Sequence, residues 1–536
     1  MSDCFTYLIS DLRTSPDVGE AELFSLAKKR MSAAGISTSG VSFSVYRRSV
    51  DARKRDRVSL IWTVAATGHF SSRDRERLRA LPARELEDTT CSPSFGTETL
   101  KAPILVVGSG PAGLFCALTL AKYGYRPHLI ERGGSVEERE TAVSAFAKTR
   151  VLDTECNIQF GAGGAGTFSD GKLMTRINDP MISEVLRTFV EHGAPPSILY
   201  QARPHIGTDI LRDVVSSLLN RIVSLGGEVS FRTRLDRLRP FGGAVVADCS
   251  DASRPAGAVV LATGHSARDT YAMLLSQGFS VEPKSFSVGV RIEHLQSDID
   301  RMMYGDLAGH PALGHAEYAL SCHHGERGVY SFCMCPGGQV MASQSEQDSL
   351  VVNGMSNYAR DGRNANSALA VSVFPSDYGA TPMGAIEFQR SIERSAFACA
   401  GSNYAAPLLT VGDLLAGACK SEPTRVLPSY MDGQAYAIRS LSSYLPSFVE
   451  DALSFGIRTF GRRMPGFDQP QAILTGPETR TSAPVRVLRS EEGIAPGWDV
   501  VYPCGEGAGY AGGITSAAVD GIRTAFRLMN RFAPLE

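Results

Sequence analysis

No window of this 536-residue chain reaches the roughly 18 consecutive apolar residues that a membrane-spanning helix needs. The opening residues, MSDCFTYLISDLRTSP, carry acids where a secretory leader carries cations, and no apolar run follows, so no signal peptide is expected. Net charge is almost absent: a formal value of -2 gives no general attraction to nucleic acid or to an acidic membrane surface. The 11 cysteines include no CxxC pair, and an odd, scattered set reads as free thiols in a reducing compartment. Neither Cys322-His323-His324 nor Cys333-Met334-Cys335 has a second pair at finger-like spacing, so no metal site is expected. The expected location is the cytoplasm. Repeats of solenoid period are also lacking.

What is present is an ordinary globular composition, 43% hydrophobic and 21% charged, with 53 glycines. Residues 1–98 stand apart. FTYLISDL, VSFSVYRRSV and RVSLIWTVAA have strand character, GEAELFSLAKKRMSAAG has helical spacing, and the expected product is a small β-α-β-β unit. Its basic run, Arg47–Arg57, reads as a solvated hairpin in preference to a nucleic-acid surface, since two acids interrupt it. A polar, serine-rich link then leads to an α/β pattern. The expected division is an N-terminal α+β domain over 1–98, a nucleotide-binding domain over 99–284 and 459–536, and an inserted substrate domain over 285–458.

The strand-like ILVV runs straight into Gly108, Gly110 and Gly113, a GxGxxG turn that opens a helix at Pro111 and Ala112. In that motif the first glycine permits the tight turn, the second lets backbone approach a pyrophosphate, and the third lets helix and strand pack closely. The helix N-terminus then faces the phosphates. Glu131, beside Arg132, ends the next apolar run 18 residues beyond Gly113, where a carboxylate accepts from ribose hydroxyls. FAD and NAD both fit this half-site. The segment VYPCGEGAGYAGGITSAAVDG favours FAD: a strand ending at Gly505 and Glu506, then Gly512, Gly513 and Ile514 opening a helix near Thr515, suits a ribityl chain and the pyrimidine edge of a flavin.

GAGGAGTFSDGKL, Gly161–Leu173, contains GxxxxGK and so imitates a P-loop. A P-loop needs a preceding strand and a Ser or Thr after the lysine. Here TECNIQF precedes and Leu173 follows, which disfavours a nucleoside triphosphatase.

GSGPAG, LIERG, NIQFGAGGAGTFSDGKL, VVLATGHSARDTY, FSVGVRIEH, ETRTSAPVRV and YPCGEGAGYAGGITSAAVDG together resemble an uncharacterised family of FAD-dependent dehydrogenases, itself similar to flavoproteins with a glutathione-reductase-like FAD domain. The likeness covers residues 102–536, and SVDARK in the first domain also resembles the family. It implies an α/β fold: a Rossmann-like FAD-binding domain of glutathione-reductase type, an inserted α+β substrate domain and a small N-terminal α+β domain. It further implies that the glycine loop faces flavin through Gly163, Gly164, Gly166 and Thr167, with Ser169, Asp170 and Lys172 orienting the ring. Thr263 and Gly264 would lie near the adenosine.

On the substrate side, Arg203 and His205, and Arg291, Glu293 and His294, offer carboxylate clamps and proton carriers, though each also suits a structural network. Cys333 and Cys335, with Cys504 near the last glycine loop, invite a thiol-disulfide reading. No second GxGxxG follows a strand, so NAD(P)H is expected at most as a transient reductant. The expected function is an FAD-dependent oxidoreductase that moves hydride to or from flavin N5, on an unidentified small molecule or with a redox partner protein. Two alternatives stand: a flavin monooxygenase using NAD(P)H and oxygen, and an RNA- or protein-binding factor that holds FAD for structure or redox sensing.

Overall fold

The computed structural model describes residues 4–86 and 91–534. The chain forms two compact units: one of residues 1–91, 195–205 and 297–316, the other of 92–194, 206–296 and 317–536.

In the first unit, strands Phe5–Thr14, Ser42–Asp51, Ser59–Gly68 and Ala83–Glu85 make one antiparallel sheet. Phe5–Thr14 and Ser59–Gly68 lie at its centre. Helix Glu20–Ala33 buries Leu23, Ala27 and Met31, a stripe at four-residue spacing that makes one apolar face. A second helix, Ser72–Arg79, completes a β-α-β-β-α-β order of ferredoxin-like type. The sequence reading lacked that helix and the strand after it. Its SRDRERLR sequence buries only Leu78 and starts on a Ser71/Asp74 capping box, so it carries no apolar periodicity to detect. The basic run closes the Ser42–Asp51/Ser59–Gly68 hairpin, and several of its cations are engaged: Arg53 pairs with Asp51, Arg55 donates to the Met302 carbonyl, and Arg48 donates to the Ala312 carbonyl and lies over Trp62.

The second unit is built on a five-stranded parallel sheet in the order Val501–Pro503, Ala258–Leu261, Ile104–Val107, His128–Ile130, Glu228–Ser230. Its three strands Ile104–Val107, Ala258–Leu261 and Val501–Pro503 are wholly buried, which is why they read as unbroken apolar runs. A three-stranded antiparallel sheet, Leu235–Phe241, Ala244–Cys249 and Ser253–Ala256, precedes the strand Ala258–Leu261 in the chain. Strands Val281–Pro283 and Val485–Val487 pair as a two-stranded antiparallel ribbon. Between them the chain builds a mixed seven-stranded sheet in the order Ser321–His324, Arg327–Cys335, Asn364–Val373, Phe286–Leu295, Ile473–Glu478, Ala406–Thr410, Tyr436–Ile438. Ile473–Glu478 lies between Phe286–Leu295 and Ala406–Thr410, so this sheet draws a strand from beyond residue 458. Among the described residues, no helix is long and apolar enough to cross a membrane.

Candidate active site

Three glycine-rich segments converge at the C-terminal ends of the parallel strands. In the first, Gly108 sits at φ +101°, and a Cβ there would lie 2.4 Å from the Ala262 carbonyl oxygen. A Cβ on Gly113 would lie 1.8 Å from the Gly108 carbonyl oxygen, so the helix Pro111–Lys122 can begin this close to its strand only with glycine at that position. Helix Ile514–Arg531 reaches the same place from the other end of the sequence: a Cβ on Gly521 would lie 2.1 Å from the Ala112 carbonyl oxygen, and one on Gly505 would lie 2.6 Å from Ala112 Cβ. The third segment, Gly161–Lys172, lies over both. A Cβ on Gly164 would come within 2.9 Å of Gly110 Cα, and one on Gly166 would sit 3.2 Å from Ile514 Cγ1. Thr515 donates to the Leu173 carbonyl at 2.8 Å and fixes the loop's far end.

The glycine loop is held by two buried side chains of opposite charge. Glu131 accepts from the Ser109 amide at 2.9 Å and hydroxyl at 2.8 Å on one oxygen, and from the amides of Gly133 and Gly161, both at 3.0 Å, on the other. One carboxylate thus ties together the first glycine turn, its own strand end and the glycine loop. Arg139, fully buried on helix Val136–Thr149, collects the carbonyls of Asn157, Ile158, Ala162 and Gly164 and lies over the Phe168 ring. Burial lowers its guanidinium to about 10, while Glu131 acts in the opposite direction. Sequence reasoning marked Glu131 for ribose hydroxyls, whereas its acceptor sites here go to Ser109, Gly133 and Gly161; Arg139 was not singled out at all, since VEERETAV has the composition of a solvated charged helix. A backbone-binding arginine shows only when the loop it holds is in view.

Several expected cofactor contacts are turned elsewhere. Arg132 is committed to Glu155 and Asp269 and lies 4.1 Å from the Phe160 ring centroid, where it braces the scaffold. Ser169 donates to the Gly166 carbonyl and accepts from the Gly171 amide, so it closes the loop on itself. Thr167 likewise donates to the Ala162 carbonyl inside the loop. Asp170 is buried against Arg360, Ser356 and Lys172. Lys172 also donates to the Met334 carbonyl, which lies in the seven-stranded sheet. Through Asp170 and Lys172 the loop is tied to Ser356, Arg360 and strand Arg327–Cys335.

Thr263 and Gly264 follow the strand Ala258–Leu261, and a Cβ on Gly507 would lie 2.4 Å from the Gly264 carbonyl oxygen. Tyr271 donates to the Gly507 carbonyl at 2.8 Å and joins these two loops. Asp520, from inside the last helix, accepts from the Gly505 amide at 2.7 Å and pairs with Arg489. Glu506 stands 3.9 Å from His265 Nε2 and keeps 26% of its side-chain surface. Burial raises its carboxyl to about 7, opposed by Lys284. Burial, with the charges of Arg480 and Arg268, lowers His265 to about 4.

The substrate-side candidates divide between the units. Arg203 and His205 belong to the segment 195–205 of the first unit; Arg291, Glu293 and His294 belong to the second. Arg291 is fully buried, and its five N–H groups are all engaged, by Glu478, Asn353, Asn366, the Cys333 carbonyl and the Cys335 sulfur. None is left for a substrate carboxylate. Glu293 accepts from Asn364 and Ser429, and His294 is buried against Phe467, bonded to its carbonyl at 2.7 Å. The ETR triplet is equally internal: Glu478 pairs with Arg291, while Thr479 and Arg480 both bind Glu393, which Arg268 grips from another side. Cys504 is buried and accepts from Thr524.

The residues fit a flavin dinucleotide. A Cβ on Gly264, Gly512 or Gly513 would meet no atom within 4 Å, and one on Gly110 would meet only Gly164 Cα, at 3.9 Å. Backbone at these four positions is therefore open to close approach, which is what a pyrophosphate and a planar ring require.

Residues 285–481 match the family described as FAD-dependent protein, C-terminal domain-like, and residues 106–154 match an NAD(P)-binding Rossmann-like domain. An "Uncharacterized protein" of Clostridium beijerinckii is 45% identical over 500 residues, covering 91% of this chain and 92% of its own. Among solved structures, glycine oxidase from Geobacillus kaustophilus aligns at 10% identity over 80% of this chain and 93% of its own, with a TM-score of 0.32. CtdE in complex with FAD aligns at 10% identity over 81% and 87%, also with a TM-score of 0.32. The chain belongs to the same family as the clostridial protein; it is an FAD-dependent oxidoreductase, and its cofactor is FAD.

Proposed function

We propose that the protein is a dehydrogenase or reductase with an FAD domain of glutathione-reductase type, whose substrate is received by the inserted region around the seven-stranded sheet. When bound, FAD supplies the hydride-accepting and hydride-donating chemistry. Gly108, Gly110 and the first turn of helix Pro111–Lys122 would hold its diphosphate. Glu506 would hold the ribityl chain and the N-terminal turn of helix Ile514–Arg531 the pyrimidine edge of the ring, while Glu131, its acceptor sites filled by the Ser109, Gly133 and Gly161 donors, would brace the turn beside the adenosine ribose. The chain's own residues shape this site: Arg139 and Glu131 fix the glycine loop, Lys172 and Asp170 join that loop to the inserted region, and Asp520 orients Gly505. NAD(P)H is the proposed reductant, arriving transiently, and the cytoplasm the proposed location.

The observation that supports this reading most is the cradle of open backbone at Gly110, Gly264, Gly512 and Gly513. Its test is anaerobic reduction of the purified yellow protein by NADH and by NADPH. Bleaching by one or both fits the proposal; a holoprotein that neither nucleotide bleaches contradicts the proposed reductant. Hydroxylation coupled to oxygen uptake would assign the monooxygenase chemistry instead.

A further inference from the structure

Strand Arg327–Cys335 loses its register against Asn364–Val373 between Phe332 and Cys335, and at this bulge Cys333 takes a left-handed backbone, φ +47°. A bulge re-aims side chains, and a non-glycine residue in this region marks a conformation that its surroundings impose. Here Cys335 turns back along the chain, its sulfur donating to the Cys333 carbonyl at 3.3 Å. Both cysteines are free thiols, Cys335 fully buried and Cys333 half-buried beside the exposed Phe332.

Two cations bracket the triplet. Arg291 donates to the Cys333 carbonyl at 3.1 Å and reaches the Cys335 sulfur at 3.8 Å, while Lys172 donates to the Met334 carbonyl between them. Burial pushes the Cys335 thiol up to about 12 against the pull of Lys172 and Arg291, so it rests protonated. Lys172 is also the link to the cradle. It closes the glycine loop, and its neighbour Leu173 is bonded to Thr515 in the first turn of the last helix. The thiol pair thus lies one lysine side chain from the loop that borders the cradle.

We propose that Cys333 and Cys335 form a second redox centre that exchanges two electrons with the flavin and takes a disulfide as its external substrate. The inference rests on the flavin reading above. In the internal step both S–H bonds break and one S–S bond forms, the two electrons and two protons passing to the oxidised flavin; the reverse step restores both thiols. In the external step Cys333 attacks the substrate disulfide and releases one thiol; Cys335 then attacks the mixed disulfide, releases the second and leaves Cys333–Cys335 joined.

The experiment uses the air-oxidised, FAD-loaded protein, titrated anaerobically with dithionite and followed by flavin absorbance and protein thiol content. The wild type is expected to take up four electrons per flavin, and the Cys333→Ser and Cys335→Ala variants two. Adding 2-hydroxyethyl disulfide to the fully reduced wild type should restore the yellow colour, while both variants stay bleached. A wild type that stops at two electrons, or variants that still take four or recolour like the wild type, would overturn the proposal. Peptide mapping of the oxidised wild type, alkylated after denaturation, gives a measurement independent of the substitutions: Cys333 and Cys335 should escape alkylation together, and free alkylation of both counts against the centre. A protein that holds no flavin at all fails at the first spectrum, which separates failure of the cofactor reading from failure of this one.

Discussion

Gly110 and Gly164 face each other across the junction of two glycine segments, so closely that a methyl group on Gly164 would sit 2.9 Å from Gly110 Cα. The first glycine turn and the glycine loop therefore lie against each other, and each can be tested by a single added side chain.

Gly110→Val fills the cradle without touching the core, since a Cβ there meets only Gly164 Cα within 4 Å. Loss of backbone approach and overpacking together are expected to cost about 1–3 kcal/mol of cofactor affinity, roughly five- to a hundred-and-fifty-fold. The absorbance ratio of flavin to protein after gel filtration reads this, with far-ultraviolet circular dichroism unchanged. Retained flavin at wild-type occupancy would remove Gly110 from the site.

Arg139→Leu strips a donor from four carbonyls in and just before the glycine loop, three of them buried. Buried acceptors left without partners cost about 1–3 kcal/mol each before relaxation. The expected result is at least about 3 kcal/mol less stability in urea, with weakened flavin retention. Arg139→Lys is expected to rescue little, because one compact ammonium cannot span carbonyls that a planar fork reaches.

Glu393 is fully buried between Arg268 and Arg480. Burial alone would raise its carboxyl, yet the two guanidinium charges hold it far below the ordinary range. A carboxyl with a depressed folded-state pKa contributes stability above its unfolded pKa and loses it as pH falls toward the folded value. Glu393→Gln should therefore destabilise the protein at neutral pH by about 3–5 kcal/mol and flatten its acid unfolding below the ordinary carboxylate range. Equal acid sensitivity in variant and wild type would contradict the assignment.

Glu506 has the opposite sign. Its carboxyl rises from 4.5 to about 7 in the folded protein. Between those values the native state holds the extra proton, so this group's contribution to the stability of the FAD-free protein falls as pH rises through that window and levels off above it. At 1.36 kcal/mol per pKa unit the ceiling is about 3 kcal/mol, less for its partial exposure. Glu506→Gln should remove that slope, as read from thermal melts of the apoprotein across the window. A slope unchanged by the substitution would assign it to another group.

The parts of the site that were legible in the sequence are those whose chemistry is local. Gly108, Gly110 and Gly113 follow a buried strand and open a helix within one short run, so their spacing carries their geometry. The loop at Gly505 and Glu506 was legible for the same reason. What stayed hidden depends on partners far along the chain. Arg291 has the same charge whether it clamps a substrate or saturates itself on Glu478, Asn353 and Asn366, and only the fold distinguishes the two. Asp170 and Lys172 looked available because Arg360 and Met334 come from another region altogether. In the first unit the missed helix Ser72–Arg79 is held by one buried leucine, too little apolar content for periodicity to register.

Strand Val501–Pro503 completes the parallel sheet beside Ala258–Leu261, and the helix after it packs on the helix that follows the first glycine turn. A ribosome makes these pieces at widely separated times. Until the last of them leaves the exit tunnel, Ala258–Leu261 presents an unpaired apolar edge. Closure of that edge thus waits on the last strand, and only then do the two glycine turns, remote in the chain, come together.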